Sequence, residues 1–529
     1  MTKKKNAWST YTEKQLEELE ALSGNYRAFL DAGKTERECV TEITRIAREN
    51  GYRSLDEVRK DGGRLQPGDK VYASGMGKTI ALFVIGKQPL EAGMRILGAH
   101  IDSPRLDVKQ DPLYEDSELA YLDTHYYGGI KKYQWVTVPL ALHGVVVKKD
   151  GTRVPVCIGE DDGDPVLFVS DLLVHLAGEQ LQKKASVVIE GENLDILVGS
   201  RPISKAEKET NKCSMGSAKC EASAKAEAAE KSTDGAAQSN ASDVGKSEAA
   251  AVTDPAAGKN ASDAEKKEAA EDKKAEKEAV KQHILAILRD KYGMEEEDFL
   301  SAELEAVPAA KARDCGLDRS MIMAYGQDDR VCAYTSLAAL LDTPAQDYTC
   351  CCLLVDKEEI GSVGATGMQS RFFENTVAEL MDCMGQYSEL ALRRALSHCR
   401  MLSSDVSAAY DPLYASCFDK KNSAFFGGGL VLNKYTGSRG KGGSNDANAE
   451  YIASVRALLD KHEVLFQNAE IGKVDVGGGG TIAYIAALYG MEVIDSGVAV
   501  MNMHAPMEVT SKADVYEALR GYRAFLAEA

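Results

Sequence analysis

The sequence predicts an α/β protein in which a body of buried strands and helices is interrupted by a separate β-rich domain. Three observations carry this. Short apolar runs recur along the chain and stop abruptly at histidines or acidic residues, as buried strands do where they open into a ligand crevice. From about Asp107 to Arg201 the pattern changes to brief β-like runs punctuated by Gly, Asp and Pro. At 529 residues the chain also exceeds one ordinary domain of roughly 100 to 200 residues.

Composition narrows the function classes. A net charge of -19 argues against a nucleic-acid partner and an anionic-membrane surface, both of which need clustered Lys and Arg. The N-terminal stretch MTKKKNAWSTYTEKQLEELEALSGNYRAFL has basic residues but no apolar secretory core, and no window approaches the roughly 20 apolar residues of a membrane span. The twelve cysteines are spread along the chain, with Cys350, Cys351 and Cys352 inside one apolar run, so they read as reduced core residues of a cytoplasmic protein. Cys213 and Cys220 lack the CxxC spacing of a metal knuckle.

Taken in order, residues 11–50 carry apolar positions at helical spacing and predict two amphipathic helices, with Gly24 and Gly33 as breakers. Strands are predicted next at 71–73 and 79–85 around a GMGK turn, and at 94–99, which delivers His100. The β-rich segment predicts strands at 133–142, 144–147, 155–158 and 166–169 and a pair within 187–198. Residues 204–282 are almost wholly Ala, Lys, Glu, Ser, Asp and Gly, with too little apolar surface to offset ordering entropy, and predict a disordered or fluctuating helical insertion. Beyond it the pattern predicts a helix at 283–292, strands at 298–307 and 320–325, and a helix at 331–341. The central strand 350–355 is succeeded by a helical stretch at 370–397 and a strand at 400–403. A strand at 427–432, helices at 444–462 and 481–489, and strands at 492–494 and 498–503 complete the chain.

The stretch LLVDKEEIGSVGATG organises the rest. An extended segment would point Glu358 and Glu359 to opposite sides, so that one could face a metal and the other a water. Taken singly, each such residue has an ordinary explanation: a solvated loop for the glutamates, a core histidine for His100, a helix cap for Asp328 or Asp329. Together, His100, Asp328, Glu359, Asp405 and His504 each end an apolar run, with Glu358 as a spare carboxylate. Five His/carboxylate donors suit two divalent ions sharing a carboxylate. On this reading Asp328 bridges, His100 and Asp405 complete one ion, His504 and Glu359 complete the other, and Glu358 is the general base. Strand alternation places Asp102 on the same side as His100, where it can bond the other ring nitrogen.

The motifs GAHIDSPRLDVK, HYYGGIKKYQW, AYGQDDRVCAYTSL, VDKEEIGSVGATG, SSDVSAAYDP, KGGSNDANAE and VAVMNMHAP occur in this order across nearly the whole chain outside 204–282. In them the sequence closely resembles the aspartyl aminopeptidase family, which includes the yeast-type vacuolar aminopeptidase I, and in particular its bacterial branch. The resemblance implies a phosphorylase/hydrolase-like mixed-sheet zinc exopeptidase domain (1–106 and 308–529) interrupted by a β-rich dimerisation domain (107–307). It implies a peptide-cleaving aminopeptidase with two zinc ions per subunit, manganese or cobalt being alternatives, assembled as a homododecamer built from dimers. By motif position it places His100, Asp328, Glu359, Asp405 and His504 as metal ligands, Glu358 as base and Asp102 as the residue orienting the histidine. It also implies an unusual peptide bond before Asp329. His175, in DLLVHLAGEQ, corresponds to a region that contributes to a neighbouring subunit's site. Arg439 and Lys441 lie near where relatives grip an acidic first residue, and other relatives prefer neutral residues. Two other readings stand beside this one: a two-metal phosphoesterase using the Gly477–Gly480 turn, and a non-catalytic self-assembling shell protein.

Overall fold

The computed structural model describes residues 5–204 and 278–528. Residues 205–277, with Cys213, Cys220 and most of the expected insertion, lie outside the described residues. The insertion does not extend to residue 282, because helix Ala279–Tyr292 starts earlier. There the Glu115 carboxylate accepts the backbone N–H groups of Val280 and Lys281, both at 2.9 Å, and satisfies two otherwise orphaned donors at the helix start.

Nine strands form a mixed sheet that carries the candidate site. At its centre Thr349–Val355 runs parallel to Met94–His100, which runs parallel to Arg400–Ser404, which in turn runs parallel to Glu492–Gly497. Every residue of the first two strands is buried. Alternate side chains serve two cores. Cys350, Cys352 and Leu354 pack towards helices Glu13–Ala32, Gln327–Leu341 and Lys512–Glu528. Cys351, Leu353 and Val355 pack towards Phe372–Cys383 and Glu389–Ser397. Because the register pairs Val355 with His100 and Ser403 with Gly98, the three central strands end side by side, and the residues just past each strand end meet those of its neighbours.

A seven-stranded antiparallel sheet is built wholly from strands between Arg105 and Pro308, over a core that includes Leu106, Trp135, Leu142 and Leu304. A third sheet, of five strands, holds Met321–Ala324 against Glu508–Ser511 and that strand against Ala499–Met501.

Several elements differ from the sequence expectation. Gly24 does not break Glu13–Ala32: its Cα faces open space, and Leu22 and Tyr26 on either side are buried, outweighing a glycine cost of about 1 kcal/mol. Residues 133–139 form no strand; a short 3-10 turn, Lys132–Gln134, precedes Leu140–Val147. Within 187–198 only the end joins a sheet, as part of Ile196–Gly199. At 298–301 the Glu295–Asp298 capping pair favours the 3-10 turn Glu296–Ser301, and the strand starts at Ala302. Gly385 at φ 67° divides the expected 370–397 helix in two. Gly427 and Gly429, both at positive φ, delay a strand to Leu430–Asn433. The helices at 444–462 and 481–489 shrink to Ala449–Lys461 and Ala483–Ala487. The ten described cysteines are free thiols, but Cys157 and Cys417 are exposed rather than in the core.

Candidate metal centre

His100 ends its strand buried, with only 2 % of its side chain exposed. Its Nδ1 donates to the Asp102 backbone carbonyl at 3.0 Å, which leaves Nε2 to face Asp328 Oδ1 at 3.2 Å. His504 is arranged alike: Nδ1 donates to the Gly129 carbonyl at 2.8 Å, and Nε2 stands 3.3 Å from Asp328 Oδ2 and 3.4 Å from Glu359 Oε2. Each histidine thus spends one nitrogen on the protein and offers the other, as ligating histidines do. Asp328 presents one oxygen to each. Asp405, directly after the strand Arg400–Ser404, has an oxygen within 4.8 Å of donors from His100 and Asp329. The structure therefore brings together all five residues that sequence reading singled out as metal ligands.

Glu358 and Glu359 reach this point differently from the expectation. The chain is not extended there. Lys357 adopts a left-handed φ of 68° and the glutamates form the short 3-10 turn Glu358–Ile360. Both oxygens of Asp102 hold that turn, Oδ1 accepting the N–H of Glu358 at 3.1 Å and Oδ2 that of Glu359 at 3.2 Å. Tyr127 donates its hydroxyl to Asp102 Oδ2 at 2.8 Å. Glu358 Oε2 ends 4.0 Å from His100 Nε2.

Sequence reading missed four supporting groups. Tyr127 and Gly129 belong to the HYYGG motif, and a side chain at Gly129 would press on His504 Nδ1 at 3.3 Å. Gly326, at φ 69°, precedes Gln327; a Cβ there would meet the Arg330 guanidinium at 1.9 Å. Glu508, 1 % exposed, accepts the backbone N–H of Asp328 at 2.9 Å and of His504 at 2.7 Å. Its only sequence signal is an acidic residue four positions after His504. The peptide bond between Asp328 and Asp329 is cis.

The electrostatics test whether cations fit. Burial, reinforced by Asp328, pushes the Glu359 carboxyl well above its usual range, and burial with Asp329 does the same to Asp405. Burial raises Glu358 to about 7, Asp102 and Asp328 adding to the shift and His100 opposing it. Burial would raise Asp328 too, but the two histidines hold it well below the usual range. For His100 burial opposes charging, yet Asp102 and Asp328 outweigh it and hold the imidazole well above its ordinary value; His504 is likewise raised to about 10. The pocket favours added positive charge, which a metal cation supplies as well as a proton. Among the described residues the buried Glu359 Oε1 has no hydrogen-bond partner. Donor separations of 3.2, 3.3 and 3.4 Å match the spacing of about 3.3 Å around a tetrahedral ion with bonds of about 2.0 Å. The residues present fit zinc.

Comparison with known proteins decides the family. The family described as "Aminopeptidase I zinc metalloprotease (M18)" matches residues 29–234 and 237–526. The chain belongs to the M18 family. It is 55% identical over 522 residues to a probable M18 family aminopeptidase 1 of Clostridium acetobutylicum, covering 99% of this chain and 98% of that one. The crystal structure of aminopeptidase I from the same organism superposes with a TM-score of 0.80 at 53% identity, covering 100% of both chains. The structure of the S. cerevisiae mApe1 dodecamer shares the fold, with a TM-score of 0.68 at 18% identity over 96% of this chain and 97% of that one. This M18 chain is accordingly a metal-dependent aminopeptidase, and neither the phosphoesterase nor the shell-protein reading is favoured.

In this M18 chain the three substrate-side residues stand apart from the metal donors. Asp328, Glu359, Asp405 and His504 open into a cavity of about 400 Å³ whose other walls include Val406, Ile471, Gly478–Gly480, Tyr484 and Met503. Arg439 and Lys441 line an adjoining pocket that shares Ile471; Lys441 is paired with Asp446 at 3.0 Å and lies over the Tyr435 ring. His175 is exposed on the seven-stranded-sheet side, among exposed Leu172, Leu173, Val174 and Leu176, and is not among the grouped metal donors. Among the described residues no helix is long and apolar enough to cross a membrane.

Proposed function

We propose that the chain removes the N-terminal residue of peptides at a two-metal centre, with His100, Asp328, Glu359, Asp405 and His504 as ligands. The observation that supports this above all is that Asp328 offers one oxygen to each histidine, as a carboxylate shared by two ions would. Zinc is the expected metal, with manganese or cobalt as alternatives. When bound, the ions supply a Lewis acid that polarises the scissile carbonyl and lowers the pKa of water. Glu358, raised to about 7 and with its carboxyl near His100, takes the proton of the attacking water and returns it to the leaving amine. Asp102 keeps His100 oriented and fixes the backbone that carries Glu358.

The cavity walls favour a neutral first residue, because among the described residues no Lys or Arg lines the cavity beside the donors. An acidic residue would have to reach Arg439 and Lys441 through the adjoining pocket. The exposed apolar run at Leu172, Leu173, Val174 and Leu176 supports burial against a second copy through the 107–307 domain, with His175 carried towards the neighbouring site. The dodecamer of the yeast neighbour makes a homododecamer of dimers the assembly to test. Free thiols at the described cysteines support a reducing, cytoplasmic setting.

A panel of Leu, Met, Ala, Asp and Glu p-nitroanilides beside p-nitrophenyl phosphate, each with zinc, manganese and cobalt, tests this reading. Cleavage of the anilides with Leu or Met ahead of Asp is the expected result. Phosphate-ester hydrolysis abolished by Glu358→Gln, with no anilide cleaved, would overturn it.

A further inference from the structure

Two of the proposed ligands, Asp328 and His504, come from different parts of the chain, and neither sits in a regular helix or strand conformation. Asp328 stands at φ -80°, ψ 105° inside the opening turn of Gln327–Leu341, a non-helical conformation. His504 adopts a left-handed φ of 65°, a region that costs a non-glycine residue about 1–3 kcal/mol unless its surroundings enforce it. The Ser103 hydroxyl donates to the Asp328 carbonyl at 2.7 Å, and one further side chain bonds the backbones of both ligands. Glu508 Oε2 accepts the Asp328 N–H at 2.9 Å and Glu508 Oε1 accepts the His504 N–H at 2.7 Å.

Glu508 is itself held rigidly. It begins the strand Glu508–Ser511, opposite Ala324 of the strand that leads into Asp328. Its backbone carbonyl accepts from Gln327 Nε2 at 2.7 Å, and Gln327 is fixed in turn by the hydroxyls of Thr510 at 2.7 Å and Tyr26 at 3.3 Å. A buried carboxylate with one donor on each oxygen, each donor belonging to a different ligand, is a spacer of fixed length between those ligands.

We infer that Glu508 is a positioning residue of the metal centre, setting the separation of Asp328 and His504 and hence the affinity for metal. It acts through backbone N–H groups, not as a ligand. The inference rests on the ligand assignment above. It mirrors what Asp102 does for Glu358 and Glu359, so the two halves of the centre are each braced by one carboxylate.

Glu508→Gln keeps the volume but offers one acceptor oxygen, so one of the two N–H groups must face an amide nitrogen that cannot accept. The full chain, freed of metal by chelation, is titrated with Zn²⁺ by calorimetry and by competition with a chromogenic chelator, and the Co²⁺-loaded protein is examined by visible absorption. Loss of an outer partner of metal ligands typically costs about 10–100-fold in affinity, and that loss, with an altered cobalt spectrum, is expected for Glu508→Gln. Glu508→Asp, too short to reach both N–H groups, should lose affinity in the same direction, and it carries the test if the glutamine variant does not fold. Wild-type affinity and an unchanged spectrum in a folded variant, even with a lower melting temperature, would reduce Glu508 to a structural role and overturn the inference. Failure of the unmutated chain to take up Zn²⁺ would instead sink the ligand assignment.

Discussion

Asp102 accepts the backbone N–H of Glu358 at 3.1 Å, so the side chain beside His100 Nδ1 also fixes the turn that carries the proposed base. Asp102→Asn replaces one of its two accepting oxygens with a donor while Tyr127, Glu358 and Glu359 all present hydrogens to it. A fall of about 10–100-fold in kcat/KM, with weaker zinc retention on dialysis, is expected. Steady-state kinetics and metal analysis at matched protein concentration check it; an unaltered kcat/KM would remove Asp102 from the machinery.

Glu358→Gln conserves shape and leaves the five donors untouched. Metal content should therefore stay at the wild-type value while kcat falls about 10²- to 10⁴-fold, the usual contribution of a positioned general base. Stopped assays with excess enzyme would reveal the residual rate, and turnover near wild type would refute the assigned role.

Removing metal should destabilise the fold, because buried Asp328 and half-buried Glu359 and Asp405 bring like charges together around His100 and His504. Chelator-treated protein is expected to melt at a lower temperature at pH 8 and to recover on addition of zinc. Zinc at a hundred times its Kd contributes about 2.7 kcal/mol by mass action. Calorimetric scans with and without chelator check this, and coincident scans would argue against a site in this cluster.

His143, 2 % exposed, joins the seven-stranded sheet to the first helices: Glu38 takes its Nδ1 at 2.7 Å and Glu160 its Nε2 at 3.1 Å, with Lys34 and Lys311 also facing Glu160. Burial opposes charging of the imidazole, but Glu160 and Glu38 outweigh it and raise its pKa, so its contribution is complete below about 6.5 and fades as pH rises through the folded value. Burial would raise Glu160, yet His143 and Lys34 hold it low, so that carboxylate's contribution is present above about 4.3 and is lost as pH falls. The two windows overlap between about 4.3 and 6.5. The gap in melting temperature between wild type and His143→Gln should accordingly be wider at pH 6 than at pH 9, and an equal gap at both would contradict this pairing.

Much of the site was legible because buried strands leave a strong local signature. The run CCCLLV alternates between two cores, and in each of 94–99, 350–355 and 400–403 the apolar residues stop where the chain leaves the sheet. The Glu358–Glu359 dipeptide takes a geometry other than the one its pattern predicts: a 3-10 turn, not strand parity, carries the two side chains. The shortened strands at 187–198 and 298–307 were illegible because capping and turn chemistry compete locally with apolar periodicity.

By itself the sequence determined the family, the α/β class and which acidic residues and histidines follow apolar runs, since composition and period-two burial are properties of neighbours along the chain. Only the tertiary structure decided that Asp328 turns one oxygen to each histidine, that Glu508 and Asp102 brace the two halves of the cluster, and that Arg439 and Lys441 open into the adjoining pocket. Most of these are relations between residues far apart along the chain, fixed by strand register and backbone hydrogen bonds that no local pattern encodes.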